Sequence, residues 1–500
     1  MKNKIDKLIN NDIFIMIIIA LSTIIASLWI FNKNNFFIFD DWHNLVNLPQ
    51  QSFKDLFQIL PTSSYCSRPV GVIIVKILLN IVGLNYLFHA SFMIGIHIIN
   101  ALLVYYLIKK LTKNQAIAAV TSLIFAIYPV STMPSYWEAA MFDLFGTTLV
   151  LLSTLTYLKL KTQKVSKKNY ILLSILMIIL YYTSLRSKEM FICLPLFLGS
   201  HSLCSYLKKF REEKEPFQIK HFLKENINLI IMTLVMILYA LCIKNLNSSN
   251  QFTTNELDAY YYNFDIIGIV KNFFNYLFIY FNPKSLVYAD VLTTIYFRKI
   301  YKLFILILSF SILGMSIYKI IKNDYSYLLG IIAYGLFITP VLPMPNLHAV
   351  WYLYLPAIPL AYLCADMLYH ILKFFVFENR ITFASLLFSL IILMFINKLS
   401  YINNFRIWWL DFAGLEKETY NYFLDLSKEY ENIENVYVIN VPEGYTTFFI
   451  EDGGIVNVAF DDYNLNVEIY HDGREEKDFE KNSLLIDFND YNFTLLEEVR

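Results

Sequence analysis

The sequence predicts an all-α polytopic membrane protein with about eleven transmembrane helices, followed by a small C-terminal α/β or α+β domain outside the cytoplasm. Three observations carry that prediction. Of the 500 residues, 57% are hydrophobic, and mean hydropathy is +0.48. Apolar runs of about 17–25 residues, the length that crosses a bilayer, recur along the chain. The formal net charge of zero hides a division: residues 401–500 hold 7 Lys+Arg against 22 Asp+Glu, a net of −15, which leaves +15 on the first 400. The chain therefore reads as a basic membrane body over 1–400 and an acidic soluble domain over 401–500.

The first apolar run, Ile13 to Phe31, is too long for a signal-peptide core and lacks a small-residue cleavage site, so it reads as a retained span. Spans are expected at roughly 12–31, 86–108, 115–133, 139–159, 169–184, 189–207, 226–244, 301–319, 325–343, 350–372 and 381–398. The stretch 70–84 is short and carries Lys76, which suits an interfacial or re-entrant helix. Lysines in the short connections (Lys2, Lys4, Lys7; Lys109, Lys110, Lys113; Lys159, Lys161, Lys164; Lys319, Lys322) fall on one side, the cytoplasmic one by the positive-inside rule. The N-terminus is then cytoplasmic in a multi-pass protein of the cell membrane. The long loops 32–69 and 245–300 and the acidic domain lie outside. That domain opens on FRIWWLDF, the composition of an interfacial anchor. A helix is expected near 412–430, then strands at VYVIN, TTFFI, IVNVAF, LNVEIY and SLLIDF between turn-forming PEG, EDGG, DDYN and HDG. The five cysteines have no motif spacing, and most lie in apolar runs, where a thiol behaves as a small hydrophobe.

Four polar clusters interrupt the apolar pattern, all at outer span ends by this topology. The first is Asp40-Asp41-Trp42-His43, with Ser67-Arg68-Pro69 closing the same loop. The second runs from Tyr128-Pro129 through Trp137-Glu138 to Asp143, the third is Arg186-Ser187-Lys188-Glu189, and the fourth is Asn346-Leu347-His348 leading into Trp351-Tyr352-Leu353-Tyr354-Leu355-Pro356. Charges that resist the default topology at membrane depth are functional more often than not. Carboxylates and cations on an outer face, with no Gly-rich phosphate loop anywhere, suit sugar transfer from a lipid-phosphate donor. A carboxylate (Asp40 or Asp41) takes the acceptor proton, and cations (Arg68, Lys188, Arg186) meet the leaving phosphate. Trp137, Glu138, Asp143, Glu189, His348 and Tyr354 are candidate substrate contacts. His89 and His97, inside a span, read as hydrogen-bonded bundle histidines, and Asp366 reads as structural.

These residues also resemble a family, the protein O-mannosyltransferase superfamily of GT-C glycosyltransferases. The likeness is greatest to bacterial relatives of the transmembrane and tetratricopeptide-repeat O-mannosyltransferases, here without the repeats. It covers about residues 12–398. It rests on Asp40-Asp41 and Arg68-Pro69 in the first outer loop and on FHASFMIGIHIINALL with His89, His97 and Asn100. It rests further on YPVSTMPSYWEAAMFDLF, on Lys188-Glu189 with Leu194-Pro195-Leu196, and on YLYLP at 352–356. Tyr128, Ser131, Met133, Met141 and Trp351 stand where that family carries His, His, Glu, Arg and Arg. The resemblance implies an inverting hexosyl- or pentosyltransferase with Asp40 as base. It implies a polyprenyl-phosphate-linked sugar donor, a protein, lipid or glycan acceptor, contact with membrane lipids and no nucleic acid. It also implies no required metal or other cofactor, although paired carboxylates can hold a divalent cation. The rival reading is a transporter or flippase for a lipid-linked saccharide, which calls for ionisable groups near the midplane and internal repetition. This chain keeps its charges at span ends.

Overall fold

A computed structural model describes residues 11–58, 68–213, 218–247, 261–281, 299–375, 409–430, 432–441, 453–471, 479–489 and 492–499. Ser67, Lys2, Lys4, Lys7, the expected span 381–398, the first half of FRIWWLDF, the expected strand TTFFI and most of the loop 245–300 lie outside the described residues.

The body is helical. Helix α1 (Asp12–Ser27) starts where the Asn11 side chain accepts from the Ile13 N–H (2.9 Å). Helix α2 (Asp40–Gln50) and one turn, α3 (Phe53–Leu56), follow in the first long loop. Helix α4 (Pro69–Val82) covers the stretch expected to be interfacial. Then come α5 (Tyr86–Thr112) and α6 (Gln115–Ile127). Helix α6 stops short of its expected end at 133 because Pro129 pushes Tyr128 to extended backbone (ψ 138°). Next are α7 (Met141–Thr162), α8 (Lys167–Leu185), α9 (Leu194–Glu213), α10 (Ile219–Glu225) and α11 (Ile227–Asn247). Helix α12 (Ile266–Phe281) occupies what the sequence presents as an outer loop. Helices α13 (Lys299–Ile321), α14 (Ser326–Ile338) and α15 (Ala357–Phe375) complete the body.

Among the described residues, five helical stretches are long and apolar enough to cross a membrane: Asp12–Phe31, Tyr86–Thr112, Glu138–Thr162, Lys167–Leu185 and Glu189–Glu212. A sixth arises if the pair Ile219–Glu225 and Ile227–Cys242, bent by 73°, counts as one. Of the other expected spans in the described region, α6 and α14 are apolar helices of 13 residues each, shorter than a full crossing.

The tail holds a helix over 409–429, α16, then a four-stranded sheet of order β2-β1-β3-β4. Strand β1 (Asn435–Ile439) lies parallel to both β2 (Asn466–Ile469) and β3 (Ser483–Asn489), and β3 pairs antiparallel with β4 (Asn492–Val499). All five β1 residues are buried, as a central parallel strand requires. The expected strand IVNVAF is instead helix α17 (Gly454–Phe460), with Ile455, Val456 and Ala459 buried on one side. Strand β4 had no counterpart in the sequence reading. Trp409, read as part of an interfacial anchor, is buried.

Candidate active site

The four polar clusters meet. Asp41, fully buried, holds the start of α2 in place: its Oδ2 accepts from the Ile38 N–H (3.1 Å) and its Oδ1 from the Ala139 N–H (2.8 Å). Burial, and then the neighbouring Glu138 carboxylate, push the Asp41 carboxyl well above its ordinary range, against the pull of those two N–H groups. Asp40 beside it is exposed, and no described residue hydrogen-bonds its side chain. Burial of the surrounding loop raises its carboxyl too, opposed by His43 and by Lys188, which lies within electrostatic reach. The residue before this pair is Phe39, whose φ of +53° is a left-handed backbone for a bulky side chain. Such a conformation costs on the order of 1–3 kcal/mol and persists only where neighbours enforce it.

Arg68, at the N-cap of α4, forks onto Glu189 through Nε–H to Oε2 (3.1 Å) and Nη2–H to Oε1 (2.5 Å). The Arg68 side chain is 32% exposed, and among the described residues Nη1 has no partner, so donors remain for an incoming anion. Lys188 is buried. It donates to Asp143 Oδ2 at 2.6 Å and lies 5.0 Å from the centre of the Tyr352 ring. Arg186 is also buried, and its Nη1 donates to the Gln58 carbonyl (2.7 Å) and the Tyr182 hydroxyl (2.9 Å). It clasps the loop between α1 and α4 through the Gln58 and Leu56 carbonyls.

The remaining sequence candidates divide by exposure. Glu138 is buried against His89 (2.9 Å to Nδ1), whose Nε2 meets the Gly83 carbonyl (2.9 Å). Tyr354 is buried with its oxygen 2.8 Å from His97 Nδ1 and accepting from Asn100 Nδ2–H (3.1 Å). The His97 Nε2 contact to the Ala126 carbonyl (3.1 Å) identifies Nε2 as the protonated nitrogen, so the Tyr354 hydroxyl donates to Nδ1. His89 and His97 are thus the bundle histidines expected. Trp137 packs edge-on against Trp351 (4.5 Å between centres) and is nearly buried. His348 lies 3.0 Å from Asn272 of α12, and burial, with Lys271 nearby, holds its imidazole down at about 4. Glu189 and His348 are therefore the candidate substrate contacts that keep partial exposure. Among the described residues, a cavity of about 200 Å³ lies near Ile108, Phe197, His201, Tyr325 and Tyr362, away from these clusters.

Glycine supports the constellation at one point. A Cβ on Gly146 of α7 would overlap the Phe191 ring, which sits in the one-turn helix carrying Glu189. Gly146→Ala is therefore expected to destabilise by about 1–3 kcal/mol through overpacking. Gly199→Ala, where a Cβ meets nothing within 4 Å, is expected to stabilise slightly. Unfolding midpoints in detergent compare the two; equal shifts would discount this packing role.

Sequence reasoning missed Glu416. It comes from α16, is fully buried, and accepts from the Phe39 N–H (3.4 Å) and from Trp42 Nε1–H. The signal was present: Glu416 interrupts an apolar helical stripe of Trp409, Phe412, Ala413, Tyr420 and Phe423.

No protein-family model and no curated protein sequence matches the chain. Solved structures do. The Archaeoglobus fulgidus oligosaccharyltransferase in its apo form is 10% identical, with a TM-score of 0.51 over 92% of this chain and 64% of that one. The same protein tethered to an acceptor peptide containing the NVT sequon is 11% identical, with a TM-score of 0.50 over 92% and 64%. ArnT from Cupriavidus metallidurans bound to undecaprenyl phosphate is 10% identical, with a TM-score of 0.46 over 91% and 85%. The chain thus spans 64% of the length of the oligosaccharyltransferase it matches. At these identities the likeness shows a shared fold with the oligosaccharyltransferase.

Proposed function

We propose that this chain is an integral-membrane glycosyltransferase that moves a sugar from a polyprenyl-phosphate donor to an acceptor at the outer face of the cytoplasmic membrane, with inversion. The observation that carries the reading is the contrast between two adjacent carboxylates. Asp41 is spent on backbone N–H groups, while Asp40 is exposed and unpartnered among the described residues, in the same constellation as a partly exposed Arg68. The acceptor hydroxyl gives its proton to Asp40 as its oxygen attacks the anomeric carbon. The bond from that carbon to the phosphate oxygen breaks, and polyprenyl phosphate leaves with its charge facing Arg68. Lys188, paired with Asp143, acts on Asp40 through its charge rather than as a direct ligand of the phosphate. The reaction as proposed uses no metal or other cofactor. The oligosaccharyltransferase of the same fold takes a peptide, so peptide is the first acceptor class to test, before lipid or glycan.

The test is a transfer assay on the purified protein in lipid nanodiscs, with a panel of polyprenyl-phosphate sugars and peptide, lipid or glycan acceptors. Consumption of one donor with a glycosylated product is expected. No consumption across the panel would sink the reading. Arg68→Gln, which removes the fork and leaves Glu189 unpaired, is expected to cut kcat/KM for the donor on the order of 10²-fold, mostly through KM. An unchanged KM would remove Arg68 from the donor site.

A further inference from the structure

The tail domain reaches into the site through one face of α16. Phe412, Glu416 and Tyr420, at successive intervals of four, face the segment 36–42: Phe412 lies against Phe39 (5.6 Å), and Tyr420 stacks on Trp42 (5.7 Å, 23°) and touches Phe36 (5.6 Å). Lys417, next on the helix, donates to the Lys33 carbonyl (2.8 Å). From the other side α17 closes on α2, where a Cβ on Gly454 would stand 3.4 Å from the Trp42 backbone. At the centre of this contact the buried Glu416 carboxylate accepts from the Phe39 N–H and from Trp42 Nε1–H. Phe39 is the residue in left-handed backbone, one position before Asp40. A strained turn held by two carboxylates, Asp41 from within and Glu416 from the tail, has little freedom, and the side chain it carries is aimed accordingly.

We propose that Glu416 is a positioning residue for Asp40: it pins the Phe39 turn, so the site is complete only when the tail domain is docked. This rests on the reading of Asp40 as the base. A buried carboxylate on a helix otherwise apolar on that face has no packing advantage over leucine, and the two described donors it accepts from, Phe39 N–H and Trp42 Nε1–H, both belong to the segment that carries Asp40.

The test uses the full chain in nanodiscs, with Glu416→Ala and Glu416→Gln read by steady-state kinetics and by hydrogen exchange of the peptide spanning residues 37–45. Glu416→Ala is expected to lower kcat on the order of 10²-fold with donor KM little changed, and to speed exchange in that peptide. Glu416→Gln, which keeps one acceptor oxygen, is expected to recover most of the rate and protection. Should the alanine variant fail to fold, Trp42→Phe, which removes the Nε1–H donor and keeps a smaller aromatic ring at the position, is expected to give the same split in smaller measure. Wild-type kcat with wild-type protection in Glu416→Ala overturns the proposal, as does an equal loss in both variants with the turn still protected. A wild-type protein that transfers no sugar while exchange in 37–45 still depends on Glu416 upholds the tie and rejects the glycosyltransferase reading instead.

Discussion

Asp40→Asn is expected to lower the transfer rate on the order of 10³-fold, the scale of a lost general base, while expression and thermal unfolding stay at wild-type values. The two halves of that expectation have separate causes. The amide cannot take the acceptor proton, so the nucleophile is no longer activated. The fold does not register the change because Asp40 is exposed and no described residue hydrogen-bonds its side chain; surface replacements of that kind shift stability by about 0.5 kcal/mol or less. Its neighbour is expected to behave in the opposite way. Asp41→Ala leaves the Ile38 and Ala139 N–H groups without their acceptor, at a cost of about 1–3 kcal/mol, and lowers activity through loss of folded protein. The pH dependence supplies an independent check. The loop packed around Asp40 partly desolvates its carboxyl and raises it, against His43 and Lys188, and the base works only when ionised. The rate is therefore expected to fall as pH drops through a value above the ordinary aspartate value of about 3.9, and that limb is expected to vanish in Asp40→Asn. Full activity in that variant, or a profile flat down to the ordinary value, counts against Asp40 as the base.

The division of labour between Asp40 and Asp41 shows where sequence stops being informative. The pair stood out as a candidate site because two carboxylates beside a span have no anchoring use, and hydropathy marked the long apolar helices such as Tyr86–Thr112 because bilayer crossing constrains composition along the chain, while α12 fell in an expected loop. Which carboxylate is free depends on the Ala139 N–H, 98 positions away, and no local pattern encodes that. The same holds for Arg186. As a cation in a short outer turn it looked available, yet its partners are the Gln58 carbonyl and the Tyr182 hydroxyl. In the tail, IVNVAF read as a strand because a short segment with five apolar residues of six suits both a buried strand and a short buried helix. The left-handed Gly453 before it and Asp461 after it, both with positive φ, close it as helix α17.

The second large effect concerns Lys188 and Asp143, 2.6 Å apart and both nearly buried. Lys188→Met removes the ammonium and leaves the Asp143 carboxylate in a site with no other cation in direct contact among the described residues. Breaking such a pair from one side costs about 3–5 kcal/mol, because the remaining charge is neither solvated nor matched. A large fall in the unfolding midpoint, with protein lost from the membrane fraction, is expected. Asp143→Leu alone is expected to do the same from the other side. The double variant Asp143→Leu/Lys188→Met replaces both charges by apolar groups of similar size and is expected to regain most of the stability, since buried pairs are often no better than such replacements. Activity separates the two uses of the lysine. If Lys188 serves only to neutralise Asp143, the double variant regains transfer together with stability. The proposed site requires more of it, since its charge acts on Asp40 and contributes to the field facing the leaving phosphate. The double variant is therefore expected to fold and yet transfer slowly, with the acidic limb of its pH profile moved upward because Asp40 has lost a cation that favours its ionised form. A double-mutant cycle in stability and in kcat measures both couplings on the same proteins. Recovery of kcat in parallel with the unfolding midpoint would assign Lys188 to the fold alone.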